Sequence, residues 1–144
     1  MKLKTILILF TLIIFKATIA SASPVLIGGY DIAKIANETI TILETKGVLN
    51  KGEIILEPKE NTDALVVAPE FIKFYKNLGN TLIQKKILKE EDVKKVETFA
   101  TESGGLKSGN QNPVVLAAGY LDILSQKGIV DIPTAQKILN NARP

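Results

Sequence analysis

Two absences limit the chemistry that this chain could perform. Its 144 residues include no His and no Cys, which excludes Ser-His-Asp triads, thiol nucleophiles and ordinary zinc sites. The densest group of carboxylates, Glu90-Glu91-Asp92, stands at a predicted helix start and lacks the alternating ligand spacing of a calcium loop. We therefore predict no metal-ligating residue and no cofactor-binding residue.

Glu102 is the one carboxylate whose surroundings suggest a reaction. The segment Thr101-Glu102-Ser103-Gly104-Gly105, followed by Asn112-Pro113 and by Gly119-Tyr120-Leu121 with Leu124, resembles parts of the lytic transglycosylase (goose-lysozyme-like) family. The resemblance implies that Glu102 is the sole acid/base of a glycan-cleaving site, a role that needs a raised pKa but no histidine. It covers residues 102–124 only, and the G-L-M-Q and A-Y-N-A-G segments of that family's sugar cleft are absent. The sequence is therefore assigned to no family.

The neighbours of Glu102 argue against catalysis. They are polar, and no apolar run lies close enough in the sequence to desolvate the carboxylate. We expect Glu102 to be exposed, outside any deep cleft, and we predict no catalytic residue.

The N-terminal residues have the three regions of a secretory signal peptide. Lys2 and Lys4 precede an apolar run from Thr5 to Phe15, and small residues close the segment at Ala20-Ser21-Ala22. Lys16 ends the apolar run well below the roughly 20 residues that a membrane-spanning helix needs. We expect cleavage after Ala22, no membrane insertion of the mature chain, and one domain over residues 23–144, in the periplasm or secreted.

Processing also changes the charge of the protein. Residues 1–22 hold three of the 18 basic residues and none of the 15 acidic ones, so the mature chain is formally neutral. A neutral chain with interspersed charges gives no reason to expect nucleic acid as a partner. Since the chain has no cysteine, packing alone must hold the domain together.

Internal repetition is the strongest structural signal. Three thirteen-residue stretches, starting at Ile42, Thr81 and Ile123, can be superposed. Each is typical of a helix end, a tight turn and a second helix start, which together form an αα-hairpin. Gly47 and Gly128 stand where a left-handed residue ends a helix, and Asn50 and Asp131 stand where a side chain caps the next one. Lys86 takes the glycine's place in the middle repeat, so either it is strained or that helix ends differently.

Apolar residues at helical spacing precede each turn and predict the core. They are Ile32, Ile35, Ala36, Ile40 and Leu43; Phe71, Phe74, Tyr75, Leu78 and Leu82; and Val114, Ala117, Leu121 and Leu124. The second arms are predicted over residues 51–56, 90–101 and 132–141. The first of these is weakened by Gly52 and ended by Pro58, so an alternative for residues 53–68 is a short β-hairpin that pairs residues 53–57 with 64–68.

The sequence thus predicts an all-α domain of three tandem αα-hairpins, closed into a compact bundle. For function, we expect a non-enzymatic module that binds another exported or envelope protein; the oligomeric state is left open. Two alternatives are a carrier of a lipid or other apolar ligand and a glycan-cleaving enzyme that uses Glu102. The three differ in what they require: a module needs an exposed apolar patch, a carrier an enclosed apolar cavity, and an enzyme a cleft that holds a desolvated carboxylate.

Overall fold

The structure is a helical bundle with one short β-hairpin. A computed structural model describes residues 26–56, 64–103 and 111–143. The predicted signal peptide therefore lies outside the described residues. The elements of the described chain are β1 (Leu26–Ile27), β2 (Tyr30–Asp31), α1 (Ile32–Thr45), α2 (Ala64–Gln84), α3 (Glu90–Ser103), α4 (Pro113–Gln126) and α5 (Ile132–Asn141).

The β-hairpin lies at the start of the described chain. β1 and β2 pair antiparallel, with Ile27 opposite Tyr30. Gly28 and Gly29 form the two-residue turn, and both have positive φ, as a tight hairpin turn of this length requires. The alternative of a hairpin within residues 53–68 is wrong, because residues 64–68 belong to α2 and residues 53–56 form no strand.

The three predicted turns have the same backbone geometry. Gly47, Lys86 and Gly128 have φ of 76°, 61° and 74°. In each turn the next residue's N–H donates to the carbonyl five positions earlier, at N···O distances of 2.9 Å for Val48, Ile87 and Ile129. This is the left-handed helix end that the sequence predicted. The open question about Lys86 is settled, because its helix ends like the other two with a lysine in the glycine's place.

Two of the three units have the predicted second helix, and one does not. α2 with α3 and α4 with α5 are αα-hairpins, and Asp131 caps α5 by accepting from the N–H of Thr134 at 3.2 Å. After α1, however, residues 50–56 form turns and no helix. Gly52 has φ +78°, a conformation that no helix residue adopts. The prediction of three complete hairpins is therefore wrong for the first unit.

The first arms, α1, α2 and α4, bury the predicted apolar stripes. α4 packs against both α1 and α2, and all members of the stripes are buried except the half-buried Val114. The rings of Tyr75 on α2 and Tyr120 on α4 stack with centroids 5.7 Å apart. A Cβ on Gly79 would collide with the Tyr120 hydroxyl. Glycine at this position therefore permits the close approach of α2 and α4.

The second arms pack on the first arm of the next unit. α3 packs on α4, and α5 packs on α1, which brings the end of the chain back to its beginning. The Asp31 N–H donates to the carbonyl of Ala142 at 2.8 Å, and the Arg143 guanidinium donates to the Tyr30 hydroxyl at 2.8 Å. The expectation of a closed bundle is confirmed for the described residues.

Charged pairs join the turns of successive units. Glu53 of the first turn pairs with Lys85 of the second at 2.8 Å, and Asp92 after the second turn pairs with Lys127 of the third at 3.1 Å. The pKa of Asp131, after the third turn, is lowered by its hydrogen bonds with Thr134 and also by the charge of Lys46 in the first turn. In each case a lysine of one turn lies near an acidic residue of another unit, although Asp131 does not have the repeat position that Glu53 and Asp92 share.

Candidate functional site

Glu102 lies on the solvent-facing side of α3 and is exposed, as the sequence predicted. With Phe99 and Lys95 it lines a shallow depression of about 490 Å³ that is open to solvent. Nothing in this arrangement removes water from the carboxylate, which a general acid would need. Asn112 caps α4 and Pro113 is its first residue. Both belong to the stretch that resembles lytic transglycosylases.

The same side of α3 carries an isolated apolar side chain. Phe99 is 58% exposed and stands among the charged residues Glu91, Lys94, Lys95 and Glu102. A single exposed aromatic residue is common on protein surfaces. Phe99 alone therefore does not define a binding site.

A second depression, the α2 groove, has more apolar residues in its lining, although polar and apolar atoms contribute about equally to its surface. It has a volume of about 430 Å³ and lies between α2 and the turn segment that follows α1. Its apolar residues are Ile55, Leu56, Phe71 and Phe74, and its polar residues are Glu70, Lys73 and Asn77. Ile55 is 73% exposed, the largest exposure of any large apolar side chain in the described part of the protein.

α3 covers one face of α4, and α5 covers the equivalent face of α1. The equivalent face of α2 forms the wall of the α2 groove. Asn77 is equivalent by repeat position to Gly119 on α4 and to Glu38 on α1. Gly119 lies under α3, since a Cβ there would be 2.8 Å from Val96 Cγ1. Glu38 lies near Lys137 of α5. Gly119 and Glu38 are half-buried, whereas Asn77 is exposed.

The contact between α1 and α5 changes the pKa of Glu38. Desolvation raises the pKa of this carboxyl, and the nearby charges of Lys34 and Lys137 partly oppose that effect. Its Oε2 is buried and accepts no hydrogen bond from the described residues. The contact with α5 thus removes part of the Glu38 carboxyl from solvent.

Two further polar groups are buried in the core between α2 and α4. The hydroxyls of Tyr75 and Tyr120 have no hydrogen-bond partner among the described residues. Burial raises the pKa of both phenols, most strongly that of Tyr75. They therefore stay neutral at physiological pH, and neither tyrosine lines the two depressions described above.

Residues 26–56, 64–103 and 111–143 contain no cluster of His, Cys, Asp or Glu able to hold a metal ion. Within the same residues, no helix has the length and apolar character needed to cross a membrane.

Sequence reasoning missed the α2 groove. The weak signal was the loss of helix propensity at Gly52 and Pro58, which indicated a missing helix but did not show which surface that helix would have covered. Comparisons of the chain with protein-family models, with curated proteins and with solved structures found no match.

Proposed function

We propose that the protein is an exported, non-enzymatic interaction module and that it binds another exported or envelope protein through the α2 groove. One observation carries this proposal: Ile55 is largely exposed and, unlike Phe99, has a second apolar side chain beside it, the half-buried Leu56, at a groove whose polar residues are Glu70, Lys73 and Asn77. Exposed apolar surface of this kind, with a polar rim, is typical of protein-binding sites.

The two alternative functions receive less support from the geometry. A carrier would enclose its ligand, but both depressions described above are open to solvent. A glycan-cleaving enzyme would desolvate its acid, but Glu102 is exposed. Export rests on the N-terminal sequence alone, since residues 1–22 are outside the described structure.

Site-specific photo-crosslinking in the exporting cell tests this proposal. A photoreactive amino acid replaces Asn77 at the groove or, as a matched control, Gln136 on the exposed side of α5. We expect a discrete protein adduct from position 77 and none from position 136. Ile55→Asp, on an exposed side chain, should remove the adduct without unfolding the protein. Equal labelling at both positions, or a lipid adduct in place of a protein, would reject the module.

A further inference from the structure

The depression beside Phe99, which we call the α3 groove, lies between two rows of side chains on α3. Its described lining residues all belong to this helix. Within each row the residues are four positions apart, with Glu91, Lys95 and Phe99 in one row and Lys94, Thr98 and Glu102 in the other. Rows of this spacing form ridges on a helix surface, and a ridge of a second helix fits the groove between them. The α3 groove therefore has the form of a helix-packing surface.

The opposite side of α3 attaches this helix to the bundle, so the α3 groove faces outward. Val93, Val96 and Ala100 are buried, and Val96 lies against Gly119 of α4. All six described lining residues of the α3 groove are exposed. Apolar atoms nevertheless contribute most of its surface, because lysine side chains have long methylene stems below their charges. The outer side of α3 thus offers apolar contact area framed by charged groups.

Two of these charges have no partner in the described part of the chain. The side chains of Lys95 and Glu102 form no ion pair and no hydrogen bond with the described residues. By contrast, Asp92 on the same helix pairs with Lys127 at 3.1 Å. The charges of Lys95 and Glu102 are therefore available to a binding partner.

The order of the charges along α3 favours a second copy of the same helix. Lys95 lies four residues before Phe99, and Glu102 lies three residues after it. If two copies of α3 pack antiparallel about a twofold axis between Thr98 and Phe99, each Lys95 meets Glu102 of the other copy, and each Phe99 ring lies beside Thr98 of the other copy. A parallel arrangement would instead place like charges against each other, which is unfavourable. Antiparallel pairing therefore suits the apolar and the charged residues together.

From these relations we propose that the α3 groove is a self-association surface, on which two copies of the chain pack α3 against α3, antiparallel and with twofold symmetry. The two Phe99 rings form the apolar centre, and two equivalent Lys95–Glu102 pairs flank it. Because both copies use the same surface, association ends at two copies and does not continue into a filament. The inference goes beyond the proposed function, since the α3 groove and the α2 groove share no described lining residue.

The size of the contact makes the dimer weak. We expect one face of a 14-residue helix to bury less than the roughly 1,200 Å² at the lower end of stable interfaces, and exposed ion pairs contribute little individually. The dissociation constant should therefore be on the order of 0.1–1 mM. The protein is then a monomer at micromolar concentrations and substantially dimeric at about 1 mM.

Sedimentation equilibrium of the exported protein between about 0.01 and 2 mM tests the association, since its extent depends on concentration. We expect a monomer–dimer equilibrium at low ionic strength, where the charges are least screened. Lys95→Glu or Glu102→Lys alone places like charges together twice in each dimer and should weaken association about tenfold.

Mixing these two charge variants provides the most specific readout. In the mixed dimer the acidic residues of one copy meet the basic residues of the other, so an equimolar mixture should recover the association that each variant loses. Lys76→Glu, at an exposed position on α2, makes the same charge change outside the α3 groove. As the matched control, it should leave association unchanged.

Phe99→Gln tests the apolar centre of the contact. It should weaken association at least about tenfold and leave the denaturation midpoint of the monomer unchanged, because the ring is 58% exposed. A lowered midpoint would show that the ring is covered within its own chain and would overturn the inference. The same conclusion would follow from no association up to about 2 mM, from a mixture of the charge variants that associates no better than either alone, or from an equal loss with Lys76→Glu.

Discussion

Lys86 has the same left-handed backbone conformation as Gly128, at the same point of the next unit, with φ of 61° and 74°. The two helix ends also share their hydrogen bonds, since Ile87 donates to Leu82 and Ile129 donates to Leu124. A lysine has a Cβ that disfavours this conformation, whereas glycine does not. The middle turn therefore keeps its geometry despite its residue, because the surrounding contacts fix it.

This relation predicts opposite effects at equivalent positions. Gly128→Ala should destabilise the protein by about 1 kcal/mol, and the reason is the backbone alone, since no atom lies within 4 Å of a Cβ at that position. Lys86→Gly should be neutral or stabilise by up to about 1 kcal/mol, because relief of strain is partly offset by the greater freedom of glycine in the unfolded chain. Chemical denaturation measures both. The reverse order would contradict the equivalence of the turns.

Local patterns were sufficient to predict most of the fold. Each turn is determined within about ten residues by a left-handed position, two apolar residues and a cap, so Gly47 and Gly128 could be identified from the sequence. The second arm of the third unit was predicted over residues 132–141, and the helix has those limits.

The pairs of helices that contact each other in the bundle, and the α2 groove, could not be predicted in this way. Both depend on which helices are neighbours in space, as in the contact of Gly119 with Val96, and a single sequence does not specify such pairs. The first unit was misjudged because Asn50 and Glu53 form a helix-start hydrogen bond although Gly52 prevents the helix from continuing. Residues 50–53 therefore contain both a helix-start pattern and a glycine that prevents a helix, and the segment is not helical.

Asp92 should make stability depend on pH. The pKa of its carboxyl is lowered by the hydrogen bond from the Lys89 N–H and further by Lys127. Because the folded-state pKa lies below the unfolded value of about 3.9, the stabilisation is fully present above that value and is lost as the pH falls through the folded pKa. Asp92→Asn keeps an acceptor for Lys89 but removes the charge. We expect a loss of about 1 kcal/mol at pH 7 that shrinks as the pH falls below the unfolded value.

Thermal melts of the wild type and Asp92→Asn between pH 2.5 and 7 test this expectation. Glu91→Gln, at the exposed neighbouring position, serves as the control and should lie close to the wild type throughout. A stability difference between the wild type and Asp92→Asn that stays constant down to pH 2.5 would show that the charge of Asp92 is not responsible.

Removal of the Tyr75 hydroxyl should not weaken the protein. Tyr75 is fully buried, and its hydroxyl has no partner among the described residues, so folding removes it from water without replacing its hydrogen bonds. An unsatisfied buried hydroxyl costs about 1–3 kcal/mol, and Tyr75→Phe retains the ring stacked on Tyr120. We expect unchanged or higher stability in denaturant. A clear loss of stability would instead reveal a buried water molecule or another partner for this hydroxyl.

Glu102→Gln should leave stability and partner binding unchanged, because the side chain is exposed on the outer side of α3. Denaturation and the photo-crosslinking yield from position 77 measure the two properties. Peptidoglycan hydrolysis by the wild type that is abolished by this one substitution would instead make Glu102 the acid of an enzyme.

Gly79 and Tyr120 should be energetically coupled through the contact that brings α2 and α4 together. Gly79→Ala places a Cβ against the Tyr120 hydroxyl and within 3.2 Å of Val93 Cγ1, so it should destabilise by roughly 1–3 kcal/mol through overpacking. Tyr120→Phe removes the hydroxyl that the new Cβ meets, and it should be tolerated alone because that hydroxyl lacks a partner in the described chain. In the double variant we therefore expect part of the lost stability to return, with a coupling energy of about 1 kcal/mol. The stability that does not return reflects the contact of the new Cβ with Val93. If the effects of the two substitutions are purely additive, the helices must instead move apart to accommodate the methyl group.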